Sequence, residues 1–261
     1  MLRTKKKLNP QRAYCPCALS TILTSFDLNM LGKFTRLQDG VAQGISFAIL
    51  DGIQITRNGY ALTNKHHQIS SLKSQRIVPI LRLHLDDMVL PDEELYQRAR
   101  AMGYEGILIQ PIHYRKSIFS LLENALLSIQ KAELFTALWM PFQNASVTPH
   151  LMEHFQNLAH FFFLDMDCEE DFLTSLDHLT DATPKRLRYH TLVSYTKTKR
   201  SHAQEHDFLN TIEGIFERIS YGCFAGVHFS ADNLSQCLIS HLTLTFNVQK
   251  GYQTALPCSG E

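Results

Sequence analysis

Carboxylates, histidines and aromatic residues recur where short β-rich runs end. Asp86 and Asp87 follow the run Arg76–Leu83, and Asp165 and Asp167 close the run His160–Met166. Such a pair can perform acid/base chemistry when its surroundings split the two proton affinities; otherwise these acids are solvated loop residues or helix caps. His84-Leu85-Asp86, Asp165-Met166-Asp167 and His228 have the residue types of a divalent-metal site, although their spacing matches no metal signature. Tyr114, Trp139, Tyr195 and Phe229 have the rings to line a sugar-stacking cleft. Period-2 alternation leaves open whether Trp139 faces that cleft or the helices. Arg82, Arg115, Lys116 and the basic loop Lys197–Arg200 also lie near strand ends. No glycine-rich cradle accompanies that loop, so it reads as solvated and not as a phosphate site.

These residues need elements to hold them. The β-rich runs are Ser20–Phe26, Ile45–Asp51, Arg76–Leu83, Glu105–Gln110, Leu134–Met140, His160–Met166, Leu187–Tyr195 and Phe224–Ser230. They recur about every 30 residues, the length of one βα unit. Helical patterns fill the gaps. Pro91–Met102 opens with proline and acids and stops at Gly103, a favoured start and end. In Arg115–Lys131, Ile118, Leu121, Leu122, Ala125, Leu126 and Ile129 make one apolar stripe. Thr148-Pro149 reads as the start of a helix to about Ala159, followed by helices over Glu169–Leu179, His202–Ser220 and Asn233–Ser240. Asn58-Gly59 predicts a hairpin after the second strand.

Strict alternation makes a parallel sheet with helices on its faces. Eight units favour a closed (β/α)8 TIM barrel over an open doubly wound sheet. No glycine-rich dinucleotide fingerprint follows the first strand, which weighs against the open form. The expectation is one barrel domain over 18–246, a basic tail over 1–17 and a C-terminal tail over 247–261.

Composition supports a large core, since 44% of the 261 residues are hydrophobic. The formal net charge is zero, so electrostatics favour neither nucleic acid nor an anionic membrane as partner. No apolar run approaches transmembrane length. The Ala13–Phe26 stretch after Lys5–Lys7 is broken by Pro16 and is not read as a signal peptide. The six cysteines form no CxxC pair and are read as reduced thiols. No cofactor is expected.

At the fourth run the text is Gly103-Tyr104-Glu105-Gly106-Ile107-Leu108-Ile109-Gln110-Pro111-Ile112. This resembles the G-[FY]-D-G-I-D-I-D-x-E strand of the family-18 glycoside hydrolases, the chitinases and spore cell-wall N-acetylglucosaminidases. Ile45–Asp51 with its hairpin, Arg76–Leu83 with Pro79, Glu133–Pro141, Phe161–Asp167 and Gly222–Asp232 resemble that family's other strands in the same order. The resemblance implies the same barrel. It also aligns Glu105, Leu108, Gln110 and Ile112 with the family's acidic positions. Glu105 keeps the first carboxylate. Leu108 and Gln110 replace the inner aspartates, and Ile112 replaces the general-acid glutamate. Asp167 matches the sixth-strand aspartate, Met166 stands at the family's tyrosine, and His228-Phe229 stands near its tryptophan.

In that family the substrate's acetamido oxygen attacks, yet a carboxylic acid must still protonate the leaving oxygen. Isoleucine donates no proton, and neutral glutamine cannot balance a developing positive charge. General acid catalysis alone is worth about 10²–10⁴-fold. Glu105 cannot substitute, because seven residues at about 3.3 Å each put it roughly 20 Å from Ile112. The resemblance, with these replacements, therefore implies a barrel that no longer hydrolyses glycan. Its partner would be an N-acetylglucosamine-containing glycan, chitin- or peptidoglycan-like, or a protein, held through Gln110, Trp139, Asp165, Asp167, Tyr195 and His228. Two alternatives stay open. One is an active glycosidase whose acid has moved to Asp86, Asp87, His113 or Asp167. The other is a metal-dependent hydrolase on the same barrel. The expected setting is cytoplasmic, or associated with a spore or cell wall.

Overall fold

Alternating side chains in each β-run can bury one set inside a cylinder and the other beneath helices. A computed structural model of the protein describes residues 23–27, 46–56, 59–63, 66–74, 76–86, 91–142, 147–166, 172–195, 214–219 and 221–229. Eight parallel strands close into a barrel: β1 (Leu23–Asp27), β2 (Phe47–Asp51), β5 (Val78–Leu85), β6 (Gly106–Pro111), β7 (Phe135–Pro141), β8 (Phe161–Asp165), β9 (Thr191–Tyr195) and β10 (Gly226–Phe229). The expected hairpin is the antiparallel pair β3 (Ile53–Thr56) and β4 (Gly59–Leu62), with Thr56 opposite Gly59. The fold is the (β/α)8 barrel that the alternation predicts. The tails over 1–17 and 247–261, the helix over 233–240 and most of the helix over 202–220 lie outside the described residues.

The helices are α1 (His66–Ser74), α2 (Glu93–Ala101), α3 (Phe119–Lys131, entered through a 3-10 turn over Lys116–Ile118), α4 (Val147–Phe155), α5 (Phe172–Ala182) and the single turn α6 (Lys185–Arg188). Residues 214–219 are also helical. Local chemistry refines several expected bounds. In α2 the cap is Asp92, whose side chain accepts the Leu95 N–H at 2.8 Å. Pro91 stands outside the helix, and Glu93 and Glu94 occupy the positive first turn. Thr148-Pro149 lies inside the first turn of α4, not before it, and α4 ends at Phe155. The seventh strand begins at Thr191 and not at Leu187. Pro184 precedes the turn of α6, and Leu187 is buried within it.

Helix ends aim the strands. After α2, the Gly103 N–H bonds the Arg100 carbonyl at 2.9 Å and Tyr104 N–H that of Ala99 at 3.2 Å. This is the double C-terminal bond of a Schellman motif, with Gly103 at φ 98°. The same reversal ends α3, where Glu133 N–H meets the Gln130 carbonyl and Leu134 N–H that of Ile129. It also ends α1, where Ile77 N–H meets the Leu72 carbonyl. The residues in the left-handed region there are Glu133 (φ 59°) and Arg76 (φ 62°).

Inside the barrel the register runs from apolar to polar. Phe47, Phe135 and Phe161 pack edge-on and tilted near the strand starts. Gly106 leaves room for the Phe135 ring, which any Cβ there would strike. At Gly226 a Cβ would strike the β1 backbone at Leu23, so closure between β1 and β10 requires glycine. Ile49, Ile80, Leu108, Trp139, Phe163 and Leu192 fill the middle. The alternate residues, among them Leu81, Ile107, Ile109, Leu138, Phe162, Leu164 and Val193, join the helices in the outer core.

Candidate functional site at the C-terminal mouth of the barrel

The inward positions beyond the apolar middle are polar. On β1 they are Ser25 and Asp27, on β2 Asp51, on β5 Arg82 and His84, and on β6 Gln110. On β8, β9 and β10 they are Asp165, Ser194 and His228. All stand at or near the C-terminal ends of their strands, the end where barrels of this kind carry function. Registration places Ser25 beside His228, His228 beside Ser194, and Ser194 beside Asp165. On the other side Asp51 lies beside Arg82, and His84 beside Gln110.

Arg82 is the hub. Its guanidinium ion-pairs with Asp27 and lies 3.6 Å from Asp51. Side-chain exposures of 12% for Arg82 and 13% for Asp27 make this a largely desolvated pair. The guanidinium also sits 5.7 Å from the centre of the Trp139 ring, a cation–π contact. Trp139 therefore points into the barrel, not toward the helices. It stacks on Phe163 at 6.2 Å and meets the His228 ring edge-on at 5.4 Å.

His228 is fully buried, with Nδ1 3.0 Å from Ser25 Oγ and Nε2 3.6 Å from Asp27. The Asp27 contact favours a charged ring, but burial and the neighbouring Arg82 charge oppose it more strongly. They push the His228 pKa well below the usual histidine value, so the ring is neutral. Partial desolvation and Arg82 also lower His84 at the rim. Ser25, His228 and Asp27 have the residue types of a hydrolase triad. Ser25 is nevertheless fully buried, so a carbonyl substrate has no access to its hydroxyl.

Four inward polar atoms have no hydrogen-bond partner among the described residues: Arg82 Nε, Gln110 Oε1, Ser194 Oγ and His228 Nε2. A buried orphan costs about 1–3 kcal/mol, so these atoms call for a partner from outside the described residues, a ligand or ordered water.

The residues singled out from the sequence separate as follows. Glu105 lies at the opposite end, exposed and 3.4 Å from Lys73. Leu108 is fully buried inside the barrel, Gln110 points to the mouth, and Ile112 follows β6 with 48% exposure. His113 is exposed on the next loop. Asp86 is half-buried, and its N–H donates to the Tyr60 hydroxyl at 3.0 Å, so the β3–β4 hairpin fixes the loop after β5. Phe229 and Tyr114 belong to the outer core, Phe229 beside Phe26 and Phe216, Tyr114 against Phe119; neither lines a cleft. Asp87, Asp167, the loop 197–200 and the Tyr195 side chain lie outside the described residues. Among the described residues no group of three or more histidine, cysteine or acidic side chains is arranged to hold a metal ion.

Sequence reasoning missed Asp27, Asp51, Ser25 and Ser194, and gave Arg82 no role. Their signal was available: each shares strand parity with an inward apolar residue, as Asp27 does with Leu23 and Ser194 with Leu192.

Neither a protein-family model nor a curated protein matches the chain. Solved structures do. The spore cortex-lytic enzyme SleL of Bacillus cereus superposes with a TM-score of 0.64 at 8% identity, over 87% of this chain and 74% of that one. SleL of Bacillus megaterium QM B1551 gives 0.63 at 9%, over 87% and 73%. The catalytic domain of a family GH18 chitinase from the fern Peteris ryukyuensis gives 0.58 at 9%, over 87% and 99%. The barrel is thus of the family-18 glycoside-hydrolase shape. At such identity the likeness is one of fold, and chemistry must be argued from the site.

Proposed function

We propose that this chain is a non-hydrolytic barrel of the family-18 type that binds an amino-sugar glycan at its C-terminal mouth. The observation that carries the reading is the state of the β6 strand end. Leu108 is sealed in the apolar interior, Ile112 is an exposed aliphatic, and Gln110 presents a buried carbonyl oxygen with no partner among the described residues. An amide can hydrogen-bond a ligand there, whereas none of the three can deliver a proton to a leaving oxygen. Asp165, Ser194 and His228 extend the polar wall around the mouth. Trp139 supports it from beneath Arg82 instead of offering a bare stacking face. Asp167 and Tyr195 remain part of the proposed binding set.

The SleL proteins are spore cortex-lytic enzymes by name. A spore or cell-wall glycan is therefore the proposed partner class, and a spore- or wall-associated setting the proposed location. No described helix is long and apolar enough to cross a membrane.

The test pairs calorimetry with mass analysis, using partly N-acetylated oligomers of β-linked glucosamine. Heat of binding with unchanged oligomer masses after long incubation is the expected result. Shortened products would favour a relocated acid among Asp86, Asp87, His113 and Asp167. No heat at millimolar oligomer would sink the glycan reading and leave a protein partner as the better idea.

A further inference from the structure

A second group of charged side chains lies at the end of the barrel away from the mouth. The turn α6 carries Lys185 and Arg188 just before β9. The Ala225 N–H, just before β10, donates to the Arg188 carbonyl at 3.0 Å. Both strands start here, so the group sits at the N-terminal face. Three arginines among the described residues are half-buried: Arg82, Arg188 and Arg218. Arg82 faces Asp27 and Asp51, and Arg218 holds Asp177 at 2.9 Å. Arg188 forms no ion pair among the described residues, and its buried Nε has no hydrogen-bond partner there. Its neighbour is a second cation. Lys185 is exposed, with Nζ donating to the Tyr189 hydroxyl and lying 5.7 Å from the centre of that ring. The groups acting on Lys185 are Tyr189, Cys223 and Arg188, and the Arg188 charge opposes its own. No carboxylate stands among them. Acids on the neighbouring helices answer other cations: Glu153 on α4 holds Arg186 at 3.1 Å, and Asp177 on α5 holds Arg218. Asp181 is exposed near the end of α5 and is not among the groups acting on Lys185. His190 turns its Nδ1 to the His160 carbonyl at 3.1 Å.

We infer that Lys185 and Arg188 form a second binding site, at the N-terminal face, for a terminal phosphate group. Two neighbouring cations with no acid between them repel each other, and an anion that joins them removes that cost. A phosphate monoester carries nearly two negative charges at neutral pH, which matches the two cations. The Nε–H and an Nη–H of Arg188 form a fork that takes two oxygens of one anion, and this supplies the partner that Nε lacks. Lys185 adds an ammonium. The Tyr189 hydroxyl accepts from Lys185 and keeps its own proton to donate. Donors from three side chains suit the three free oxygens of a phosphate ester better than the two of a carboxylate. No residue of the mouth takes part, so this site stands or falls apart from the glycan reading.

The experiment titrates the full chain with methyl phosphate, inorganic phosphate and acetate, and follows amide NMR shifts. The expected result is saturable shifts at residues 185–190 and 221–225, with methyl phosphate binding about tenfold tighter than acetate. Arg188→Lys keeps the charge and loses the fork, and should weaken methyl phosphate about tenfold. Lys185→Gln, at an exposed position, should weaken it several-fold. Arg98→Gln, which removes an exposed cation on α2, should change nothing. Methyl phosphate binding tighter than inorganic phosphate would mark a phosphate ester as the ligand; the reverse order would mark free phosphate. Acetate binding as tightly as methyl phosphate would overturn the site, as would shifts centred elsewhere or no shift at millimolar methyl phosphate. Binding that survives both Arg188→Lys and Lys185→Gln at full strength would also overturn it.

Discussion

The two ends of this barrel are built by different physics. At the end where helices hand over to strands, neighbouring residues solve the problem locally. Schellman reversals after α1, α2 and α3 launch the next strands, and an aromatic plug of Phe47, Phe135 and Phe161 fills the interior. The charges there are exposed pairs such as Arg100–Glu133 and Lys73–Glu105. At the other end, seven strands turn polar side chains inward, Arg82 holds Asp27 and Asp51, and several polar atoms have no hydrogen-bond partner among the described residues. The first end is assembled for stability. The second is the end on which the proposed glycan-binding role rests.

The largest effect should come from Arg82→Leu. It removes the guanidinium beside the largely desolvated Asp27, and breaking a buried pair in this way costs about 3–5 kcal/mol. Urea unfolding would show it as a sharply lowered midpoint. Arg100→Ala, at the opposite end, should cost under about 1 kcal/mol, because exposed pairs contribute little. Similar losses for the two variants would erase the contrast between the ends.

A medium effect is expected from pH. The folded pKa of His228 lies well below its unfolded value of 6.5. The unfolded chain therefore binds more protons between those two values. Stability is fully present above about pH 6.5 and declines as pH falls from there toward the folded pKa, by about 1.4 kcal/mol per unit for each such histidine. His160, lowered by burial and by His190, adds a second contribution at the opposite end, where its Nδ1 accepts the Thr136 N–H at 3.0 Å. His228→Asn should flatten the pH profile of unfolding by one histidine's share. An unchanged slope would mean that His228 is not held neutral.

The smallest effect sharpens the local side of the comparison. Glu133 holds φ 59°, a conformation costing a side-chain-bearing residue about 1 kcal/mol or more. Glu133→Gly should raise the melting temperature by about 2–4 °C. A fall would show that the exposed bond from Arg100 matters more than the backbone strain.

Much of the fold was legible because its signals are local. Period-2 runs, Asn58-Gly59, Gly103 and the stripe in α3 all act within a few residues, and each predicted an element that the barrel contains. Errors occurred where two local signals competed. Leu187 belongs to a helical turn, although its β-rich neighbours suggested a strand, because Pro184 starts a turn that buries it. The mouth was less legible. Gln110, Asp165 and His228 could be named from strand ends, but Asp27 and Asp51 acquire meaning only through Arg82, which is 55 residues beyond Asp27.

The sequence by itself determined the order of strands and helices and the absence of a carboxylic acid at Ile112, since residue identity and short-range periodicity need no partner. Only the tertiary structure decided that Trp139 faces inward beneath Arg82, that His228 is sealed and neutral, and that Ser194 and Gln110 have polar atoms with no hydrogen-bond partner among the described residues. Those properties depend on burial and on neighbours from distant strands. Closing the barrel creates both at once, because register sets which side chains meet and desolvation sets what their meeting is worth.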